Sequence, residues 1–247
     1  MNHFRLLLPV LAAFLLASAG CADRNAALPD APRQAAEASL DDYDDFDDAA
    51  VSDPLEGWNR FWFGVNDAVW IKAVKPVYNG YAAVVPETVR SGLSNFRKNL
   101  GAPVRFVNFL LQGEFAEAGV EFDRFLINTA LSLGFADCAA VSEPNYPYEA
   151  ETGNFGYTLG RWGFAAGPYF TIPLLGPSTV RNAVGFAADS MTAPENYLVG
   201  WPVRVPAKAV LGLNDFGGVI KAYEQLTGSA VDPYVSVRNA YMANVRP

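Results

Sequence analysis

From position 162 to position 180 the sequence runs 19 residues without a charge. That is about the length of a membrane-spanning helix. Three prolines, Pro168, Pro173 and Pro177, fall inside the run, with Gly163, Gly167 and Gly176. Proline removes a backbone donor and collides with the preceding helical turn. The stretch is therefore apolar enough for lipid and too broken to cross it as a helix. A fold that accommodates it at membrane depth must bury its backbone in protein or line a wet cavity with it.

The amino terminus points to a membrane independently. Arg5 precedes an apolar run at 6–17, and small residues lead into Cys21. This is an export signal. Small residues directly before a cysteine fit lipoprotein processing at Cys21, although Ser18 stands where leucine is more usual. Residues 1–20 read as the leader. Acyl chains on Cys21 would anchor the chain firmly. Ala22 follows where an inner-membrane retention signal would place aspartate, so a lipid-anchored outer-membrane location on the periplasmic side is expected.

The formal charge of −8 is local. Residues 22–53 carry ten acids against Arg24 and Arg33, whereas the remainder from Pro54 is nearly neutral. Residues 21–53 therefore read as a lipidated, disordered acidic tether, with a flexible-chain span of about 30 Å. The run DDYDDFDD lacks the glycine and spaced final glutamate of a calcium loop. No basic stripe suggests nucleic acid.

Histidine and cysteine limit the chemistry. The only histidine, His3, lies in the leader. Serine–histidine–aspartate, cysteine–histidine and histidine–zinc arrangements are therefore not expected beyond it. Cys138 is left alone and reads as a small buried residue. Ser178 is not in a G-x-S-x-G elbow. No catalytic residue, metal site or cofactor is expected.

Helical spacing dominates residues 54–247. Val89, Leu93, Phe96 and Leu100 recur at helical intervals, with Pro86 suited to the start. Phe115, Ala118, Phe122, Phe125, Leu126 and Thr129 fall on one face of a second helix that stops near Gly134. Asn214 is a candidate cap for a helix carrying Val219, Ala222, Tyr223 and Leu226, and Asp232–Pro233 a cap and first turn for a last helix. Five large aromatics, Trp58, Phe61, Trp62, Phe63 and Trp70, cover more than one side of an early helix. They read either as a core helix or as an interface helix with rings at head-group depth. Two-residue alternation is scarce, and VYNGYAAVV has arms too short for a hairpin. The fold class is all-α.

Six blocks carry a resemblance. They are DPLEGWNR (53–60), GLSNF (92–96), RFLINTALSLGFAD (124–137), TLGRWG (158–163), GPYFTIPLLGPSTVR (167–181) and DPYVSVRNAY (232–241). In this order, behind a lipoprotein signal, the chain resembles the VacJ/MlaA family of outer-membrane lipoproteins. The resemblance implies a single ring-shaped helical domain in one leaflet, with irregular Gly/Pro-rich connections. It implies a channel through which phospholipid mislocalised to the outer leaflet passes to a soluble periplasmic carrier, and association with a porin trimer. It maps a gating region onto Phe63, Gly64, Val65 and Asn66, where Gly64 offers backbone freedom. Many relatives continue past the last block with a polar extension, whereas this sequence stops at Pro247.

The residues admit channel roles for Gly167, Pro168, Tyr169, Pro173, Gly176, Pro177 and Arg181, as irregular backbone in a wall between lipid and a head-group path. Arg181 could meet phosphate or pair with a nearby acid. Arg60 and Arg124 read as structural ion pairs. The leading expectation is a non-enzymatic phospholipid conduit, and the alternative a structural envelope lipoprotein that scaffolds porins without moving lipid.

Overall fold

The computed structural model describes residues 52–142 and 150–245. The leader, Cys21 and the tether up to residue 51 lie outside the described residues. Residues from Asp53 onward form one compact unit. Its order is α1 (Glu56–Val69), a π-turn (Trp70–Val74), α2 (Lys75–Val84), α3 (Glu87–Gln112), α4 (Phe115–Ser132), α5 (Ala139–Ser142), a 3₁₀ turn (Ala150–Thr152) and α6 (Phe155–Arg161). Then come β1 (Tyr169–Ile172), β2 (Gly176–Thr179), α7 (Val180–Thr192), α8 (Glu195–Leu198), α9 (Trp201–Thr227) and α10 (Pro233–Ala243). No described helix is long and apolar enough to cross a membrane.

Local chemistry sets the boundaries. Pro86 precedes α3 in extended conformation, and Glu87 places a negative charge in the first turn, where the helix dipole favours it. Gly113, at φ 77°, ends α3 in the left-handed region, which lets α4 run back against it. α4 closes through Leu133 and Gly134, both at positive φ, and the Gly134 N–H donates to the Asn128 carbonyl at 2.8 Å. Asp232 Oδ1 accepts from the Tyr234 and Val235 N–H groups at 3.0 and 3.3 Å, with Pro233 in the first turn of α10, as the sequence predicts.

α3 and α4 pack as a pair. Phe96 stacks on Phe135 at 4.5 Å, and Asn99 Nδ2 donates to Thr129 Oγ1 at 2.9 Å. α6 and α7 touch backbone to backbone: a Cβ on Gly185 would lie 2.2 Å from the Gly156 nitrogen. α9 lies along α2 and α3 and contacts α10.

Two expectations change. The Asn214 cap is not one, because α9 begins at Trp201. Asn214 sits mid-helix and buried, where it accepts from Tyr81 Oη at 2.8 Å and donates to the Arg90 carbonyl and Ser94 Oγ at 2.9 and 2.8 Å. The cross-helix bonds explain an asparagine that reads locally as a cap. The second change is the hairpin. The stretch expected to be irregular forms antiparallel β1–β2, with Tyr169 opposite Thr179 and Ile172 opposite Gly176. Four residues per strand are too few for alternation to be read, and Pro177 is tolerated because β2 belongs to a sheet with only two strands.

Burial settles what the spacing left open. On α4 the apolar face points outward: Phe115 is 71% exposed, and Phe122 and Leu126 are exposed too. Ala118, at the edge of that face, and Glu121 and Asn128 on the flank beside it are buried. α1 likewise buries Asn59 and Asn66 and exposes Trp58 and Phe61. Periodicity locates an amphipathic helix correctly but cannot say whether water or hydrocarbon lies outside.

Candidate functional site

The hairpin is held by a helix instead of a third strand. β2 occupies one edge of β1, and side chains of α1 occupy the other. Asn59 Nδ2 donates to the Tyr169 carbonyl at 3.3 Å, and its Oδ1 accepts from the Thr171 N–H at 2.7 Å. Trp58 Nε1 donates to the Thr171 carbonyl at 3.2 Å. Seven residues, or two turns, further along α1, Asn66 donates to the Ile172 carbonyl at 3.0 Å and accepts from the Leu174 N–H at 2.7 Å. Buried strand edges need such partners, and amides at this spacing supply donor and acceptor together.

The clamp fixes an unusual turn. The Leu175 N–H donates to the Ile172 carbonyl at 3.3 Å. Pro173 follows Ile172, and Leu174 sits at φ 64°, a pattern in which glycine is usual. The bond from Asn66 offsets part of that strain. Leu174 and Leu175 project from the tip, 66% and 65% exposed.

Tyr169 is fully buried beneath the sheet, against Tyr234 and Tyr241. Burial pushes its hydroxyl above the usual phenol range. Burial, then the hydrogen bond to Asp53, does the same to Tyr234.

A second feature lies between α3, α4, the 3₁₀ turn and the start of α7. It is a cavity of about 880 Å³. Along α3 it is lined by residues 95, 98, 99, 102 and 105, and along α4 by 121, 124, 125 and 128. Both rows repeat at three- and four-residue spacing, so each helix presents one stripe. Asparagines recur there, at Asn95, Asn99, Asn128, Asn154, Asn182 and Asn244. The charges are largely paired. Arg105 Nε and Nη2 donate to Glu121 Oε1 at 3.1 and 2.7 Å. Arg124 Nη2 donates to Asp137 Oδ2 at 2.5 Å. Nearby, burial pushes the Asp189 carboxyl up, although bonds from the Phe155 N–H and Asn108 Nδ2, both at 2.9 Å, favour its charged form.

The residues singled out from sequence divide between the two features. Phe63, Gly64, Val65 and Asn66 are consecutive in α1 without a break. Phe63 packs on Tyr234 at 5.7 Å, and Asn66 clamps the hairpin. Gly167, Pro168, Tyr169, Pro173, Gly176 and Pro177 build the hairpin and its approach. Arg181 belongs to the cavity instead: it is buried, and its Nη1 donates to the Phe164 carbonyl at 3.2 Å. Arg60 meets Glu56 and Asp232 at 2.7 and 2.9 Å, and Arg124 meets Asp137, so both are structural pairs as read. Cys138 is buried. Sequence reasoning missed Lys98, Arg105 and Glu121. Their signal was a polar stripe at helical spacing beside the apolar one.

The comparisons with known proteins agree. Residues 51–246 match the family described as MlaA lipoprotein. The chain is 36% identical over 197 residues to the intermembrane phospholipid transport system lipoprotein MlaA of Shigella flexneri, covering 79% of this chain and 77% of that protein. The same figures hold for the Escherichia coli (strain K12) protein of that name. The Haemophilus influenzae protein is 34% identical, with 79% and 78% covered. A solved structure reported under "Structural basis for maintenance of bacterial outer membrane lipid asymmetry" superposes with a TM-score of 0.67 at 33% identity, covering 78% of this chain and 96% of that one. On this match over residues 51–246 and these relatives, the chain belongs to the MlaA lipoprotein family.

Proposed function

We propose that this protein is a non-catalytic phospholipid conduit of the outer membrane. It removes phospholipid from the outer leaflet and passes it to a soluble periplasmic carrier, maintaining lipid asymmetry. The observation that carries this reading is the inverted burial. Helices that expose phenylalanine, leucine and tryptophan outward enclose a cavity lined by asparagine, arginine and lysine. Water would drive those faces inward, whereas hydrocarbon leaves them where they are. A head group needs a polar path, and the acyl chains an apolar surround.

Cys21 would carry the acyl anchor, and residues 21–52 the tether, because the Asp53 side chain is buried in the compact unit. The unit from Asp53 would sit in the inner leaflet as a ring, beside a porin trimer. Gly167, Pro168, Pro173, Gly176 and Pro177, clamped to α1 through Trp58, Asn59 and Asn66, would form its lipid-facing wall over the buried Tyr169.

Lipid-resolved mass spectrometry of the purified full chain tests this directly. Co-purifying phospholipid, together with detergent sensitivity and outer-leaflet phospholipid in a deletion strain, is the expected result. Lipid-free protein from a strain with intact asymmetry would instead favour a scaffold. Replacing Leu174 and Leu175 together by aspartate should weaken membrane seating while the helical spectrum is kept; unchanged fractionation and detergent resistance would remove the hairpin tip from the membrane.

A further inference from the structure

The cavity wall carries Lys98, Arg105, Arg124 and Arg181. An uncompensated guanidinium in such a wall would hold a phosphate through two parallel hydrogen bonds. Arg105 lines the cavity with its side chain 20% exposed. Its two-pronged edge is already occupied, because Nε and Nη2 both point at Glu121 Oε1. Nη2 also donates to the Lys98 carbonyl at 2.6 Å.

Glu121 is the unusual member. Its side chain is 2% exposed, and Oε2 has no hydrogen-bond partner among the described residues. A buried ion pair with one oxygen unsatisfied is a poor stabiliser, since neutral side chains of similar volume often do as well. A buried polar atom left unpaired asks for another explanation. The pair's position supplies one. Glu121 cancels the charge of Arg105 on a wall that mixes six asparagines with other charged groups, of which Arg124 is likewise paired with an acid, Asp137. Conduction needs binding favourable enough to enter and weak enough to leave.

We infer that the cavity is a transit site for the phosphate of a phospholipid head group, and that Glu121 keeps Arg105 from trapping it. This rests on the conduit reading. Glu121 acts through Arg105 and is a positioning residue. The lipid crosses because Arg105, the cation set deepest against its acid, is not free to chelate its phosphate.

The test uses the full-length lipidated chain in detergent, with glycerophosphoglycerol and inorganic phosphate as calorimetric probes. Lipid transfer between vesicles is measured in parallel. Glu121→Gln should bind glycerophosphoglycerol about five- to tenfold tighter than the unaltered chain, with the gain shrinking at high salt, and should transfer phosphatidylglycerol more slowly. Adding Arg105→Gln should abolish the gain. Glu121→Met, a neutral side chain of similar length, also frees the Arg105 fork, should tighten binding by a similar factor, and carries the test if Glu121→Gln does not fold. Unchanged or weaker binding by folded Glu121→Gln and Glu121→Met overturns the inference. So does a gain that survives Arg105→Gln. A gain for inorganic phosphate without one for glycerophosphoglycerol also overturns it, since the site would then take a free ion. If the unaltered chain neither binds the glycerophosphate nor moves lipid, the conduit reading itself fails. If it moves lipid while Glu121→Gln behaves like it, only the role of Glu121 falls.

Discussion

Asn59 and Asn66 on α1 commit both ends of their amides to the hairpin backbone. The asparagines facing the cavity leave part of their surface toward open space. Both regions place polar side chains inside helices that are apolar outside. In the first, amides replace a missing strand and fix a shape. In the second, they line a volume that something else can occupy. Polarity inside this protein therefore has two meanings, and what the amides hold separates them: a strand edge more than a hundred residues away in one region, and nearer stretches of chain beside an open cavity in the other.

That contrast can be broken by substitution. Asn59→Ala should cost most, because it orphans the Thr171 N–H and the Tyr169 carbonyl in a buried setting; a loss of about 3 kcal/mol is expected in chemical denaturation. Stability within about 0.5 kcal/mol of the unaltered chain would mean that α1 does not hold the strand edge. Gly185→Ala should cost about 2 kcal/mol, because the new methyl meets the Gly156 backbone and not a flexible side-chain end. An ordinary alanine gain there would deny the close approach of α6 and α7. Leu174→Gly should run the other way and stabilise by about 0.5–1 kcal/mol, since glycine tolerates positive φ, while membrane partitioning falls. Lys98→Gln on the cavity wall should move stability least, by under about 0.5 kcal/mol, as Lys98 makes no ion pair among the described residues. A large loss would show that the wall is structural after all.

How much of this was legible from the residues depends on whether the signal was local. The caps at Asp232 and Pro86, the stop at Gly134 and the helical spacing of α3 and α4 are local, and each appears where expected. The role of Asn214 was not legible, because its partners, Tyr81, Arg90 and Ser94, lie more than a hundred residues away. The hairpin was missed for a related reason. Its second edge is completed by Asn59 and Asn66, and nothing in the strand itself announces a helix as neighbour. Which face of α4 turns outward was not legible, because periodicity has no sign. The lipoprotein signal and the charge-free run at 162–180 both pointed to a membrane, and taken together they could have supplied that sign.

The π-turn at Trp70–Val74 joins α1 to α2 without a break in the helix path. Trp70 at its start packs against Phe216 and Tyr223 of α9. One residue in a helix is worth about 100° of rotation, so a turn wound wide sets the phase of α2 relative to α1. Asn59 and Asn66 must face the hairpin while Tyr81 faces Asn214. Deleting Ala73 would tighten the turn and swing one set of partners away from the other. The rod is therefore constrained by its residue count as well as by its composition, and a register error of one position there would unlatch the hairpin or detach α9 although every remaining side chain stayed the same.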